Sequence, residues 1–86
     1  MSMRVDDIFS PIRVNVYYVE REIPTEIFPL AISWHRVFRR AVMSAQRAAR
    51  KNPEGVRIYS LEDINGQRVS RTWNAAGEEQ SYTILG

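Results

Sequence analysis

The chain holds one histidine, His35, and no cysteine. Thiol nucleophiles, disulfides and cysteine-ligated metals are therefore excluded. A serine or threonine nucleophile needs a base beside it, and His35 is the single imidazole on offer. It reads as a half-exposed surface histidine at the border between two faces of a helix. Acids occur in pairs: Asp6/Asp7, Glu20/Glu22, Glu62/Asp63 and Glu78/Glu79. Acid–base catalysis needs two carboxyls that converge with displaced pKa values. Three of these pairs fall in turns or near the N-terminus, where solvated carboxylates are expected, and Glu20 and Glu22 share one side of a strand. The glycines, Gly55, Gly66, Gly77 and Gly86, stand in turns or at the end. No glycine-rich phosphate loop and no zinc-ligand spacing is present. These residues describe a non-enzyme with no catalytic residue, no metal and no cofactor.

The chemistry that stands out is cationic. Net charge is only +2, yet no acid occurs between Glu26 and Glu54. That interval contains Arg36, Arg39, Arg40, Arg47, Arg50 and Lys51, six of the twelve basic residues, and eleven of the twelve are arginine. Codon preference can account for the arginine excess but not for the acid-free interval. Guanidinium groups are planar, forked donors suited to phosphate or carboxylate. Solvated helices ordinarily mix signs, because Glu–Arg pairs four residues apart add stability, and like-charge pairs such as Arg36/Arg40 and Arg47/Lys51 cost a few tenths of a kcal/mol each. Either a partner answers this charge, or Glu20, Glu22 or Glu26 lies alongside it. The candidate partner-binding residues are Arg36, Arg39, Arg40, Met43, Arg47, Arg50 and Lys51.

Two kinds of partner fit. One is a protein with an acidic surface, or a nucleic-acid–protein complex, met by arginine anchors and exposed apolar residues such as Met43 and Ile64; Arg and Met are enriched at interface centres. The other is nucleic acid itself, with arginines on phosphates, although no helix-turn-helix, zinc-finger or aromatic RNA-binding signature is present. In size and layout alone the chain resembles small phage-encoded inhibitors, including some anti-CRISPR proteins. That resemblance implies an inhibitor or adaptor of a nucleic-acid-handling complex. A third expectation is homodimerisation through an edge strand or an open sheet face.

The elements that must carry these residues follow from periodicity. Ile12 to Glu20 alternates Ile12, Val14, Val16 and Tyr18 against Arg13, Asn15 and Tyr17, a strand pattern. Ile27 to Ile32 suits either a second, edge strand across a Glu22–Thr25 turn or a helix start; the strand is preferred. Ser33 is suited to cap a helix. Trp34, Val37, Phe38, Ala41, Val42, Ala45, Ala48 and Ala49 recur at three- and four-residue steps, an apolar arc of about 140°. The cations occupy the opposite side. The spacing predicts one long helix over Ser33–Asn52, stopped by Pro53. Val56–Leu61 and Gln67–Trp73 read as strands joined through Asn65-Gly66, the strongest short hairpin signal. Asn74–Gly77 is a second turn before a strand over Gln80–Leu85.

The expected fold is α+β: one antiparallel sheet of four or five strands with one long amphipathic helix on one face, in the order β-(β)-α-β-β-β. Eighty-six residues make a single small domain, with residues 1–11 as a loose arm. Expected core residues are Val14, Val16, Tyr18, Trp34, Val37, Phe38, Ala41, Val42, Ala45, Val56, Ile58, Val69, Trp73, Tyr82 and Ile84. No apolar run reaches the ~18 residues of a membrane span and no signal-peptide pattern opens the chain, so a soluble, cytoplasmic protein with no membrane partner is expected.

Overall fold

The structure, a computed structural model, describes residues 13–22 and 31–85. Its elements are β1 (Tyr17–Arg21), β2 (Ala31–His35), helix α1 (Phe38–Ala49), β3 (Val56–Ile64), β4 (Gln67–Asn74) and β5 (Glu79–Ile84). The strands form one antiparallel sheet in the order β2-β1-β3-β4-β5, the α+β arrangement expected. The proposed arm over residues 1–11, the Glu22–Thr25 turn beyond Glu22, and Ile27 to Leu30 lie outside the described residues.

Two tight turns organise the C-terminal meander. Asn65 and Gly66 have φ of 51° and 81°, the positive values a two-residue hairpin loop requires, and Ile64 pairs directly with Gln67. At the second turn, Asn74 Oδ1 accepts from the backbone N–H of Ala76 and of Glu78 at 3.0 and 2.9 Å.

α1 packs over β1, β2 and β3. Ala41 and Ala45 are fully buried against Val19, Val56 and Ile58; their small side chains let the helix approach the sheet. At its N-terminal end Phe38 meets Tyr17 and Trp73 with ring centroids 5.3 and 4.9 Å away, so the larger residues fill the wider gap.

Three expectations are corrected. First, α1 is twelve residues long and starts at Phe38. Ser33, Trp34 and His35 belong to β2, where Tyr18 pairs with Trp34 and Tyr17 with His35. Hydrogen bonding to β1 outweighs the local helical pattern. Ser33 Oγ is engaged with Ser44 Oγ at 2.8 Å, and the N-cap position falls on Val37, which makes no side-chain capping bond. Beyond Ala49 the chain continues to Asn52 in a tighter turn, Lys51 N–H donating to Ala48 O at 3.0 Å. Second, among the described residues the first strand starts at Tyr17, Ile12 lying outside them; Val16 is buried as expected, 5% exposed, but within β1 the expected faces are exchanged. Asn15 adopts φ 61° in the turn before the strand, and pairing with β3 sets Val19 against Ile58, fully buried under the helix, and Tyr18 against Tyr59 on the open face. Third, Trp34, Val37, Tyr82 and Ile84 are about half exposed, 48% to 55%, rather than core. Trp34 is on the open face of an edge strand, Val37 precedes the helix, and α1 does not extend over β5.

Candidate functional site

Arg39, Arg40, Met43 and Arg47 are exposed on α1; Arg50 and Lys51 are exposed immediately after it. Arg40, Met43 and Arg47 stand at three- and four-residue steps, so they are neighbours on one helix face. Arg36 is exposed but stands two residues before the helix. Its guanidinium lies 6.0 Å from the centre of the Trp34 ring, and Arg13 lies 5.3 Å from the same ring. The expected single stripe is therefore divided: six of its residues follow the helix, and Arg36 is held by an aromatic face on the sheet edge.

The described salt bridges are Arg57–Glu20, Arg68–Asp63, Arg71–Glu62 and Arg71–Glu79. None involves a cation of the helix face, and α1 has no acid in its first turn. Of the acids that could neutralise this face, Glu20 accepts from Arg57 Nε at 3.2 Å on the sheet face away from α1. Burial pushes the Glu20 carboxyl above its ordinary range, and Arg57 offsets this in part. Glu22 pairs through its backbone N–H with Gly55 O at 3.0 Å. Glu26 lies outside the described residues.

An open groove runs between β2 and the end of α1. It is lined by Ile32, Ser44, Ala48 and Asn52 together with Arg47, Arg50 and Lys51. Beside it, Ser44 Oγ, Ser33 Oγ and His35 Nε2 form a chain of 2.8 and 3.0 Å contacts. These residues fasten the helix to the edge strand. Among the described residues no carboxylate is bonded to the imidazole.

A second charged cluster was not legible in the sequence. Glu62 is only 8% exposed, and its carboxylate accepts from Ser60 Oγ at 2.7 Å and from Arg71 Nη1 at 3.2 Å. Arg71 also donates to Glu79 at 3.0 Å and lies 4.7 Å from the centre of the Trp73 ring. Glu79, then Glu62, hold the guanidinium in its charged form. The alternation Val56, Ile58, Ser60, Glu62 carries the inward side of β3 past its apolar residues, which is the one signal that places Glu62 inside. With both its acids bonded to one arginine, the cluster is internally satisfied.

Among the described residues there is no group of three or more His, Cys, Asp or Glu side chains able to hold a metal, and no helix is long and apolar enough to cross a membrane. No protein-family model matches the chain, nor does any curated protein or any solved structure.

Proposed function

We propose that this chain is a non-enzymatic binding protein of the cytoplasm. It engages an acidic protein surface, alone or within a nucleic-acid-handling complex, through Arg39, Arg40, Met43, Arg47, Arg50 and Lys51, with Arg36 at the margin. The observation that carries the reading is the set of exposed cations on and after α1 with no salt-bridge partner among the described residues. Exposed like charges in one region produce a positive potential that draws acidic partners and raises association rates. Met43, 53% exposed between Arg40 and Arg47, favours protein over phosphate backbone. An apolar side chain flanked by guanidinium groups suits the centre of a protein interface, and phosphates offer it nothing. An inhibitor or adaptor role accords with this surface and with the size of the chain.

The test compares wild type with an Arg40→Ala/Arg47→Ala/Arg50→Ala variant in capture from lysate, with and without nuclease. The expected result is a nuclease-resistant protein partner that the variant loses. Loss of all partners on nuclease treatment would replace this reading with direct nucleic-acid binding. In that case, binding by the variant should be less salt-dependent, by about 0.9 log units per lost phosphate contact. Capture unchanged in the variant would mean that the basic face is only solvated.

A further inference from the structure

The two edges of the sheet differ. β2 is five residues long and carries a bulge, because Val19 pairs with Ser33 and Glu20 with Ala31, leaving Ile32 over. Bulges and short length are devices that protect an edge from pairing with another strand. β5 is exposed at every residue. Its own bulge is confined to Gln80, between the Thr72–Ser81 and Trp73–Glu79 pairs. From Ser81 to Leu85 the edge is regular, has no charged residue and no proline, and exposes Tyr82, Ile84 and Leu85 at 51%, 55% and 55%.

The backbone parity of this segment is settled by one hydrogen bond. Leu85 N–H donates to O of Arg68, its partner on β4, at 2.8 Å. Residues 81, 83 and 85 therefore direct their N–H and C=O toward β4, and Tyr82 and Ile84 direct theirs outward. The outward groups are spaced to serve an antiparallel copy of themselves. We propose that β5 pairs with β5 of a second copy of this chain about a two-fold axis at Thr83, joining two sheets edge to edge.

In this register Tyr82 of each copy exchanges two hydrogen bonds with Ile84 of the other. Tyr82 and Ile84 then face each other twice on the helix side of the sheet, an aromatic–β-branched pair of the kind that stabilises antiparallel sheets. Thr83 meets Thr83 of the second copy on the open face, and Ser81 meets Leu85. No charged residue opposes a like charge: Glu79 lies beyond the paired segment and is held by Arg71 within its own copy. The alternative two-fold register centred on Tyr82 would have to incorporate the Gln80 bulge. The interface is isologous, and closed after two copies on this edge.

Sedimentation velocity over rising protein concentration tests the proposal, with the expected result of a monomer–dimer equilibrium. Ile84→Pro removes an outward N–H that β4 does not use, a position where an edge strand tolerates proline. It should leave the denaturation midpoint near that of wild type and abolish the dimer. Thr83→Cys places the chain's one thiol on the axis, where opposed residues sit about 4.5 Å apart at Cα, within disulfide reach. Under mild oxidation it should give a covalent dimer, whereas Tyr82→Cys should not. A wild type that is monomeric at every concentration, an Ile84→Pro protein that dimerises as well as wild type, or cross-linking through Tyr82→Cys instead of Thr83→Cys would each overturn the proposal. None of these residues belongs to the basic helix face, so the outcome is independent of the partner reading.

Discussion

Arg71 reaches diagonally across the β3–β4 pairing to place Nη1 3.2 Å from Oε1 of Glu62, and Glu62 is one of two polar residues buried in the described structure. A carboxylate taken out of water is costly unless it is paired, and removing its partner alone is worse than removing both. Arg71→Leu should therefore destabilise the fold by about 2 kcal/mol, below the usual range for fully buried pairs, because the Arg71 side chain is 26% exposed. The Arg71→Leu/Glu62→Leu double variant should recover most of that loss. Urea denaturation of the three proteins checks this; a double variant that is less stable than Arg71→Leu would refute the account.

The bare start of α1 gives a second expectation. Val37 is extended, with φ −111° and ψ 122°, and half exposed, the geometry of an N-cap without the capping side chain. Val37→Asp should stabilise the protein by about 1 kcal/mol, by accepting from a free first-turn amide and by meeting the positive end of the helix dipole. Arg40→Glu should act in the same direction through the dipole, by about 0.5 kcal/mol, while weakening partner binding. A variant that is more stable yet binds less well separates loss of function from unfolding; thermal melts and the capture assay on one preparation decide it.

Gly66 and Gly77 both have positive φ, 81° and 89°, yet substitution should affect them differently. Nothing lies near a Cβ built on Gly66, whereas one on Gly77 would come 3.2 Å from Val42 Cγ2. Gly66→Ala should cost about 1 kcal/mol for the left-handed backbone alone. Gly77→Ala should cost more, and a Val42→Ala background should remove the excess. A double-mutant cycle measures this coupling; additivity within error would show that the helix does not feel the turn.

Two groups make stability depend on pH with the same sign. Burial, then the Glu62 carboxylate, raise the Tyr17 phenol above its ordinary 10.0, with Arg71 opposing. Folded Tyr17 therefore holds its proton where the unfolded chain has lost it. Its contribution is complete below pH 10.0 and is lost as pH rises through the folded value. Tyr17→Phe should make the alkaline fall in stability shallower, and the tyrosinate absorbance of the wild type should show one phenol titrating late. Glu20, raised mainly by burial above 4.5, likewise contributes below 4.5 and loses that contribution as pH rises through its folded value. Glu20→Gln, which keeps an oxygen for Arg57, should remove this slope from midpoints measured across the acid range.

What could be read in the sequence was what local physics decides. Asn65-Gly66 and the Phe38–Ala49 body of the helix depend on residues a few positions apart, and both were legible. Trp34 and Ser33 were not, because a helical apolar period and a capping residue are true of the local sequence and are overruled by pairing with β1, which no local pattern reveals. The placing of Val19 rather than Tyr18 on the inner face of β1 follows from its register with β3, which the alternation does not encode. For the candidate site, the cations and Met43 were visible as residue types. The contact of Arg71 with Glu62 depends on strand pairing, and that of Arg36 with Trp34 on Trp34 lying in β2 rather than in the helix, so neither was.

The place of β1 in the sheet also bears on the order in which the structure can assemble. Glu20 and Arg57 are neighbours across the β1–β3 ladder although 37 positions separate them. Closing that span must be offset before the pairing returns any free energy, whereas β3, β4 and β5 join through turns of a few residues. As the chain leaves a ribosome, β1, β2 and α1 emerge before the strand that completes their floor. Until Val56 and Ile58 arrive, the alanine side of α1 has at most a two-stranded hairpin to rest on, too little for independent stability. A stalled chain whose segment outside the exit tunnel ends between Asn52 and Val56 should therefore be recognised by chaperones, and release of the meander should end that recognition in one step.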